Sequence, residues 1–236
     1  MAAIYGAELW RGVPLLIFEY LEGGTLAERL RRGPLPIADV ARLGIHLAHV
    51  LTSAHAHGVL HGDIKPSNIG FAADGTPKML DLGLARLLRS SRDERPQPAD
   101  TGGSTATTSG WTPPIDAVGV AGTLAYLSPE ALDEEPPDPA VDLWSLSVVL
   151  YEAIAGISPF MSTTALDTMI HIRQADPPLA SRLRPDCPAT VAGFLQRALN
   201  RDRSVRPATA HLYQQQLELA AAAILTGTNP GIVEIV

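Results

Sequence analysis

The stretch His61-Gly62-Asp63-Ile64-Lys65-Pro66-Ser67-Asn68 decides the fold of this chain, together with Asp81-Leu82-Gly83 farther along. The first stretch contains a carboxylate, an ammonium group and an amide, and the second adds another carboxylate. Between them, residues 69–71 and 77–80 are short predicted strands on either side of Asp74-Gly75, a pair that favours a hairpin turn. Because antiparallel strands bring their far ends together, we expect Asn68 and Asp81 to lie side by side.

Three shorter motifs follow along the chain. They are Ser128-Pro129-Glu130, Asp142-Leu143-Trp144-Ser145 at the start of an apolar helix predicted over residues 140–156, and Arg206 in a polar run that ends at Pro207. In this order, the motifs resemble those of the eukaryotic-type protein kinase family, bacterial serine/threonine kinases included. The resemblance covers roughly residues 15–219.

The resemblance implies an α+β, protein-kinase-like fold with a mostly helical large lobe and a remnant of the small-lobe sheet. Residues 1–22 are expected to form that remnant and the hinge, and residues 23–225 the large lobe. Within the large lobe, residues 81–130 are expected to be the activation segment. Residues 226–236 are then a C-terminal tail.

The resemblance also implies a chemical role for the polar residues of the first two stretches. Asp63 would accept the proton of the acceptor hydroxyl, and Lys65 would stabilise charge on the transferred phosphate. Asn68 and Asp81 would bind Mg²⁺ through oxygen atoms, the ligands that this cation prefers. The implied function is a serine/threonine protein kinase that transfers the γ-phosphate of ATP to a protein substrate.

Other residues would bind the nucleotide or support the site. Backbone groups of Glu19 and Leu21, in the hinge, would hold the adenine ring of ATP. Thr123 matches the threonine that serine/threonine kinases place near the catalytic aspartate. Structural roles are expected for His61, Glu130, Asp142 and Arg206, and Glu130 should form a buried ion pair with Arg206.

Two glycines depart from the family pattern at the site. Gly62 replaces the arginine that usually follows the loop histidine, so the charge that would bind a phosphate on the activation segment is missing there. Gly70 stands where an apolar residue below the adenine ring is expected. This second replacement should weaken the packing of the nucleotide.

The first residues depart from the family pattern more strongly. Residues 4–10 and 14–18 are predicted strands, but the sequence has no glycine-rich phosphate loop and no lysine before Lys65. We interpret the polypeptide as a fragment or a reduced kinase with little activity by itself. Because the usual neighbouring strands are missing, we expect exposed apolar faces and either self-association or a partner that completes the small lobe.

Residues 89–114 are rich in arginine, serine, threonine, glycine and proline and have almost no apolar side chains. This composition indicates a long activation segment that forms no core of its own. Its hydroxyls are candidate phosphoacceptors, although a solvated linker would have the same composition. The hydroxyl-bearing residues concerned are Ser104, Thr105, Thr107, Thr108, Ser109 and Thr112.

The composition also bears on the cellular compartment of the chain and on the kinds of partner that it could bind. A net charge of −7 argues against nucleic acid as a partner. No apolar run approaches the length of a membrane span, and the single cysteine, Cys187, fits a reducing cytoplasmic setting. The cluster of His46, His49, His55 and His57 has no cysteine or carboxylate at zinc-like spacing, so we interpret these histidines as surface or packing residues.

Two alternative functions stay open from the sequence. A pseudokinase or binding module would explain the missing small-lobe lysine, although Asp63, Lys65, Asn68 and Asp81 are all retained. Phosphotransferases of the aminoglycoside and choline kinase type share the histidine-glycine-aspartate triplet. They usually carry histidine in place of Lys65 and lack the later motifs, so the protein kinase is favoured.

Overall fold

A computed structural model describes residues 1–11, 13–81, 123–174 and 176–226. Several predictions fall outside these residues. They concern Leu82, Gly83, most of the activation segment with its candidate phosphoacceptors, and nearly all of the C-terminal tail.

The described residues form an α+β fold of short two-stranded sheets and helices, as the sequence predicts. Strand β1 (Ile4–Trp10) pairs with β2 (Val13–Phe18), and β3 (Ile69–Phe71) pairs with β4 (Pro77–Met79), both antiparallel. The helices are α1 (Leu26–Leu30), α2 (Ile37–Ala56), α3 (Pro129–Leu132), α4 (Pro139–Ala155), α5 (Ala165–Gln174), α6 (Ala180–Leu183), α7 (Ala189–Ala198) and α8 (Ala210–Leu225). The predictions for residues 69–71, 77–80 and 140–156 agree with the observed bounds to within one residue.

Helix α4 is the central helix of the core. Its N-cap is Asp138, whose side chain accepts the N–H of Ala140 at 2.9 Å, and it ends at Gly156, which has a φ of +77°. Most of its side chains are buried, including Leu146, Val149 and Leu150. None of the helices in the described ranges is long and apolar enough to cross a membrane.

Helices α2 and α8 approach α4 closely at a glycine. A Cβ atom at Gly44 would lie 2.5 Å from Cδ1 of Leu150 and 2.7 Å from Cδ2 of Leu217, distances that real side chains do not show. Gly44 therefore allows three helices to meet at one point. Helix α2 then ends at Ala56, shortly before the stretch that begins at His61.

The turn between β3 and β4 forms at the predicted pair. Gly75 has a φ of +86°, which glycine adopts without steric cost, and the Asp74 carboxylate accepts the N–H of Thr76 at 2.8 Å. On the far side of the hairpin, the N–H of Leu80 donates to the carbonyl of Asn68 at 2.8 Å. The hairpin therefore brings the residue before Asp81 next to Asn68.

The β1–β2 hairpin is exposed on both faces. Its large apolar side chains are largely accessible, with Leu9 77% exposed and Trp10 59% exposed. The N–H of Ala2, before β1, donates to the carbonyl of Met79 in β4 at 2.9 Å, and the N–H of Glu19 donates to the carbonyl of Ala3 at 2.9 Å across the base of the hairpin. The exposed apolar faces expected from the sequence are present.

A buried ion pair joins α3 to the segment before α8. Nη1 of Arg206 lies 2.7 Å from Oε1 of Glu130, and each residue is 8% exposed. The same guanidinium donates to the carbonyls of Asn200 and Arg201 and stacks on Trp144, with 4.5 Å from Cζ to the ring centroid. Through three hydrogen bonds and one stacked face, this arginine joins α3, α4 and the segment before α8.

A second polar contact joins the residues before α3 to α4. The hydroxyl of Tyr126 donates to Oε2 of Glu152 at 2.6 Å, and the hydroxyl of Ser145 donates to the carbonyl of Tyr126 at 2.7 Å. Burial raises the pKa of the Glu152 carboxyl above its usual value of 4.5, while the hydrogen bond from Tyr126 opposes the shift. The folded state therefore disfavours the ionised form of Glu152.

We predict that Arg206→Ala lowers the free energy of unfolding by about 3–5 kcal/mol, because Glu130 would stay buried without its counter-ion. Urea denaturation followed by circular dichroism measures this quantity. The control is Arg203→Ala, which removes a half-exposed arginine paired with Asp138 and should cost less than about 1 kcal/mol. Equal losses in the two variants would contradict the assignment of the large effect to burial.

We predict that Glu152→Gln stabilises the fold increasingly as the pH rises. With a raised pKa in the folded state, the stabilising contribution of Glu152 is complete below pH 4.5 and is lost as the pH rises through the folded-state pKa. Glutamine keeps an acceptor for Tyr126 and removes this loss. Thermal unfolding between pH 5 and pH 8 compares the variant with wild type, and Glu135→Gln, at an exposed carboxylate, serves as the control. A difference that does not grow with pH would contradict the prediction.

Candidate active site

The carboxylate of Asp63 is held from one side by two neighbours in its own loop. Nζ of Lys65 lies 2.7 Å from Oδ2 of Asp63, and Nδ2 of Asn68 donates to the same oxygen at 2.8 Å. Asn68 also donates to the backbone carbonyl of Asp63 at 2.9 Å. The Asp63 side chain is 39% exposed, and its Oδ1 has no hydrogen-bond partner among the described residues. One carboxylate oxygen is therefore fixed and the other is open to a bound molecule.

The backbone of this loop is fixed by a carboxylate from α4. Asp142 is 1% exposed, and it accepts the N–H of His61 at 2.9 Å and the N–H of Gly62 at 2.8 Å. Its Oδ2 also lies 2.8 Å from Nε2 of His55, at the end of α2. Three polar partners therefore satisfy a charge that would be costly to bury alone. The structural role expected for Asp142 has a geometric basis in these contacts.

His55 is a supporting residue that the sequence interpretation missed. The sequence indicates a surface or packing residue, and the structure places its ring against Asp142, with the side chain 9% exposed. The helical period of α2 gives no signal for this contact, because Asp142 is distant in sequence. Neither His55 nor the other histidines belong to a metal-binding cluster in the described part of the chain.

Two residues of the site have left-handed backbone conformations. Gly62 has a φ of +71°, and a Cβ atom there would meet nothing within 4 Å, so only the backbone conformation favours glycine. Asp81 has a φ of +54°, which is costly for most side chains by about 1–2 kcal/mol. Strained residues of this kind cluster at functional sites, because the surrounding structure must hold them in place.

His61 is buried within this loop and contributes a second polar contact. Its Nδ1 lies 3.4 Å from the N–H of Asp63, and the residue is fully buried. Burial lowers the pKa of the His61 imidazole below its usual value, although the nearby carboxylates of Asp142 and Asp63 oppose this shift. A neutral ring can accept the Asp63 N–H, which a doubly protonated ring cannot do.

The hinge residues Glu19 and Leu21 lie against the β3–β4 hairpin. The carboxylate of Glu19 forms an ion pair with Lys78 of β4 and accepts the N–H of Ala3 at 3.1 Å. The hydrogen bond from Lys78 is the main reason why the pKa of Glu19 is lowered. The carbonyl of Glu19 and the N–H of Leu21 make no hydrogen bond within the described residues. They form a donor and an acceptor on one edge of the hinge.

The far end of the hinge is fixed on β3 by two glycines. The N–H of Gly23 donates to the carbonyl of Phe71 at 2.8 Å, and the N–H of Phe71 donates to the carbonyl of Gly24 at 2.9 Å. A Cβ atom at Gly23 would lie 2.8 Å from the Phe71 backbone oxygen, so only glycine allows this approach. The hinge is therefore tied to the same hairpin that carries Asn68.

Oxygen atoms suited to a hard cation occur at the open end of the hairpin. Asn68 uses its Nδ2 atom to contact Asp63, which leaves its Oδ1 atom with only a weak contact, 3.4 Å from the Ser67 hydroxyl. Asp81 supplies a carboxylate one residue after Leu80, which is bonded to Asn68. Amide and carboxylate oxygens are the ligands that Mg²⁺ prefers, so these residues fit that ion.

No hydrogen bond joins Thr123 to Asp63 among the described residues. The carbonyl of Thr123 accepts the N–H of Tyr126 at 3.3 Å. The residues from 82 to 122, which connect it to Asp81, lie outside the described ranges. The proximity expected from the sequence therefore stays a prediction.

Comparison with known proteins agrees with this arrangement. The family model of the protein kinase domain matches residues 11–217. The serine/threonine-protein kinase PknL of Mycobacterium tuberculosis is 33% identical over 210 residues, which cover 88% of this chain and 47% of that protein. The probable serine/threonine-protein kinase PkwA of Thermomonospora curvata is 34% identical over 215 residues, 91% of this chain and 25% of that protein.

A third relative, the serine/threonine-protein kinase PknB of Mycolicibacterium smegmatis, is 31% identical over 200 residues, 84% of this chain and 29% of that protein. The chain thus spans about half or less of the length of these curated relatives. The match of the family model over most of the sequence shows that this chain belongs to the protein kinase family.

Proposed function

We propose that this chain supplies the catalytic large lobe of a serine/threonine protein kinase, which transfers the γ-phosphate of ATP to a hydroxyl of a protein substrate. The observation that best supports this proposal is the arrangement of the Asp63 carboxylate. Lys65 and Asn68 hold its Oδ2, and its Oδ1 has no hydrogen-bond partner among the described residues. The names of the relatives, all serine/threonine kinases, support the choice of acceptor. Family membership also favours this function over a small-molecule phosphotransferase.

In this proposal, Asp63 orients the acceptor hydroxyl and takes its proton on Oδ1 as the new phosphate bond forms. Lys65 is held 2.7 Å from Asp63, where its ammonium group stabilises negative charge on the transferred phosphate. Bound Mg²⁺ would neutralise charge on the phosphates of ATP, and Asn68 and Asp81 would hold it. The carbonyl of Glu19 and the N–H of Leu21 would pair with the edge of the adenine ring.

Gly62 bears on regulation as well as geometry. An arginine at this position would supply a charge for a phosphorylated activation segment, and Gly62 supplies none. The loop is instead held by the hydrogen bonds from His61 and Gly62 to Asp142, at 2.9 and 2.8 Å. These contacts need no phosphate, so we propose that the position of Asp63 is independent of phosphorylation.

The exchange Asp63→Asn tests the role of the carboxylate. In a polypeptide that joins this chain to a complete kinase small lobe, we predict that the exchange lowers the transfer of labelled phosphate from ATP by at least about 100-fold. Asparagine preserves the size of the side chain but cannot take the proton. The control is Asp39→Asn, at an exposed aspartate on α2, which should retain activity.

Two outcomes would change the assignment. A normal rate in a folded Asp63→Asn variant would show that another group is the base. Binding of ATP without transfer by the unchanged protein would favour a pseudokinase or binding module. Residues 1–236 by themselves are expected to transfer little phosphate, because they contain no glycine-rich loop and no strand lysine.

We propose that the β1–β2 hairpin associates with further strands, from a second copy or from another polypeptide. A two-stranded sheet is marginally stable in water, and the apolar side chains of this one are exposed. We predict that light scattering on residues 1–236 shows concentration-dependent association and that Leu9→Glu reduces it. The control, Leu219→Glu on α8, changes a leucine of equal exposure, 78% against 77%. A monomer at high micromolar concentration would contradict association with a second copy and leave another polypeptide as the partner.

A further inference from the structure

The β3–β4 hairpin has one face in the core and one face toward the hinge. Directly opposite residues of an antiparallel pair share a face, and successive residues alternate. Ile69 and Met79 are opposite each other and completely buried. Gly70 and Lys78, the next opposite pair, therefore face the other way, and Lys78 contacts Glu19 on that side. The second face of the hairpin therefore lies toward the hinge.

A side chain from the hinge occupies the space that Gly70 leaves free. A Cβ atom at Gly70 would lie 2.4 Å from Cδ1 of Leu21 and 3.5 Å from Cβ of Leu21. Cδ1 of Leu80 would lie 3.4 Å from the same point. Leu21 and Leu80 therefore converge above Gly70, and both are only partly buried. One side of this leucine pair packs on the hairpin, and the other side is accessible.

This apolar surface lies beside polar groups that match the rest of a nucleotide. The N–H of Leu21 has no hydrogen-bond partner within the described residues, so a donor and an apolar surface belong to the same residue. At the end of the hairpin, the N–H of Leu80 donates to the carbonyl of Asn68 at 2.8 Å, and Asp81 follows Leu80. From the hinge toward the loop of Asp63, the apolar surface of Leu21 and Leu80 is therefore followed by the oxygen atoms of Asn68 and Asp81. A purine followed by phosphates has the same order.

We propose that Leu21 and Leu80 together form the floor on which the adenine ring packs, in place of a side chain at position 70. This inference rests on the proposed function, because it concerns how the same site binds its nucleotide. The sequence alone indicated that Gly70 weakens nucleotide packing. The geometry points instead to an exchange of positions, in which the hinge supplies the apolar side chain that the hairpin lacks.

An exchange of side chains between the two positions tests the proposal. Leu21→Ala should weaken the binding of adenosine, and of the ATP analogue AMP-PNP with Mg²⁺, by about tenfold, because part of the floor is removed. Gly70→Leu alone should weaken binding similarly, because its side chain collides with Leu21. The double variant Leu21→Ala/Gly70→Leu should return to within about threefold of wild type, since the floor is restored from the other side. Leu166→Ala, at a residue 67% exposed on α5, is the control.

Titration calorimetry on the polypeptide that joins this chain to a complete kinase small lobe measures the affinities, and Asp81→Asn separates the two ends of the site. That variant should lose affinity for AMP-PNP with Mg²⁺ and keep its affinity for adenosine. If wild type binds both molecules and Leu21→Ala binds adenosine equally well, the inference is overturned and the proposed function stands. If wild type binds neither, the proposed function fails and the inference fails with it.

The double variant also decides the case in which Leu21→Ala does not fold. A folded double variant that binds adenosine within about threefold of wild type supports the exchange, because it retains a floor without Leu21. A folded double variant that binds adenosine at least about tenfold more weakly overturns it. Thermal unfolding of each variant establishes which of them are folded before the affinities are compared.

Discussion

The buried carboxylate of Asp142 is the group on which the candidate active site depends. It accepts the N–H groups of His61 and Gly62 and contacts the ring of His55, so one side chain from α4 joins the end of α2 to the catalytic loop. A carboxylate at 1% exposure is stable only when its polar partners are in place. These hydrogen bonds fix the backbone conformation of the loop. Gly62 adopts the positive φ that this conformation requires at no steric cost.

From this anchor, the site extends along the β3–β4 hairpin to the hinge. Asn68 connects the hairpin to Asp63, and the ion pair of Lys78 with Glu19 connects it to the hinge. Gly23 adds a backbone bond to the carbonyl of Phe71. The β3–β4 hairpin thus sets the distance between the residues proposed to bind adenine and those proposed to act on the phosphate.

The sequence predicted the features that depend on neighbouring residues. The hairpin follows from apolar runs around Asp74-Gly75, and α4 follows from its long apolar pattern. Contacts between distant segments carried no local signal. The partnership of His55 with Asp142 is one example, since the period of α2 does not distinguish this histidine from its neighbours. The other is Gly70, because Leu21, whose side chain lies above it, belongs to a different segment.

The contacts that fix the loop of Asp63, and those around the proposed adenine floor at Leu21 and Leu80, lie mainly outside the β1–β2 hairpin. Those of Asp63 come from Lys65 and Asn68, and those of Gly70 come from Leu21 and Leu80. The β1–β2 hairpin, by contrast, has exposed apolar faces and few connections to this framework. The residues that position Asp63 and the proposed adenine site are therefore distinct from those that would cover the phosphates of ATP. A partner that packs on the exposed hairpin would add the cover to a site whose other parts are already in place.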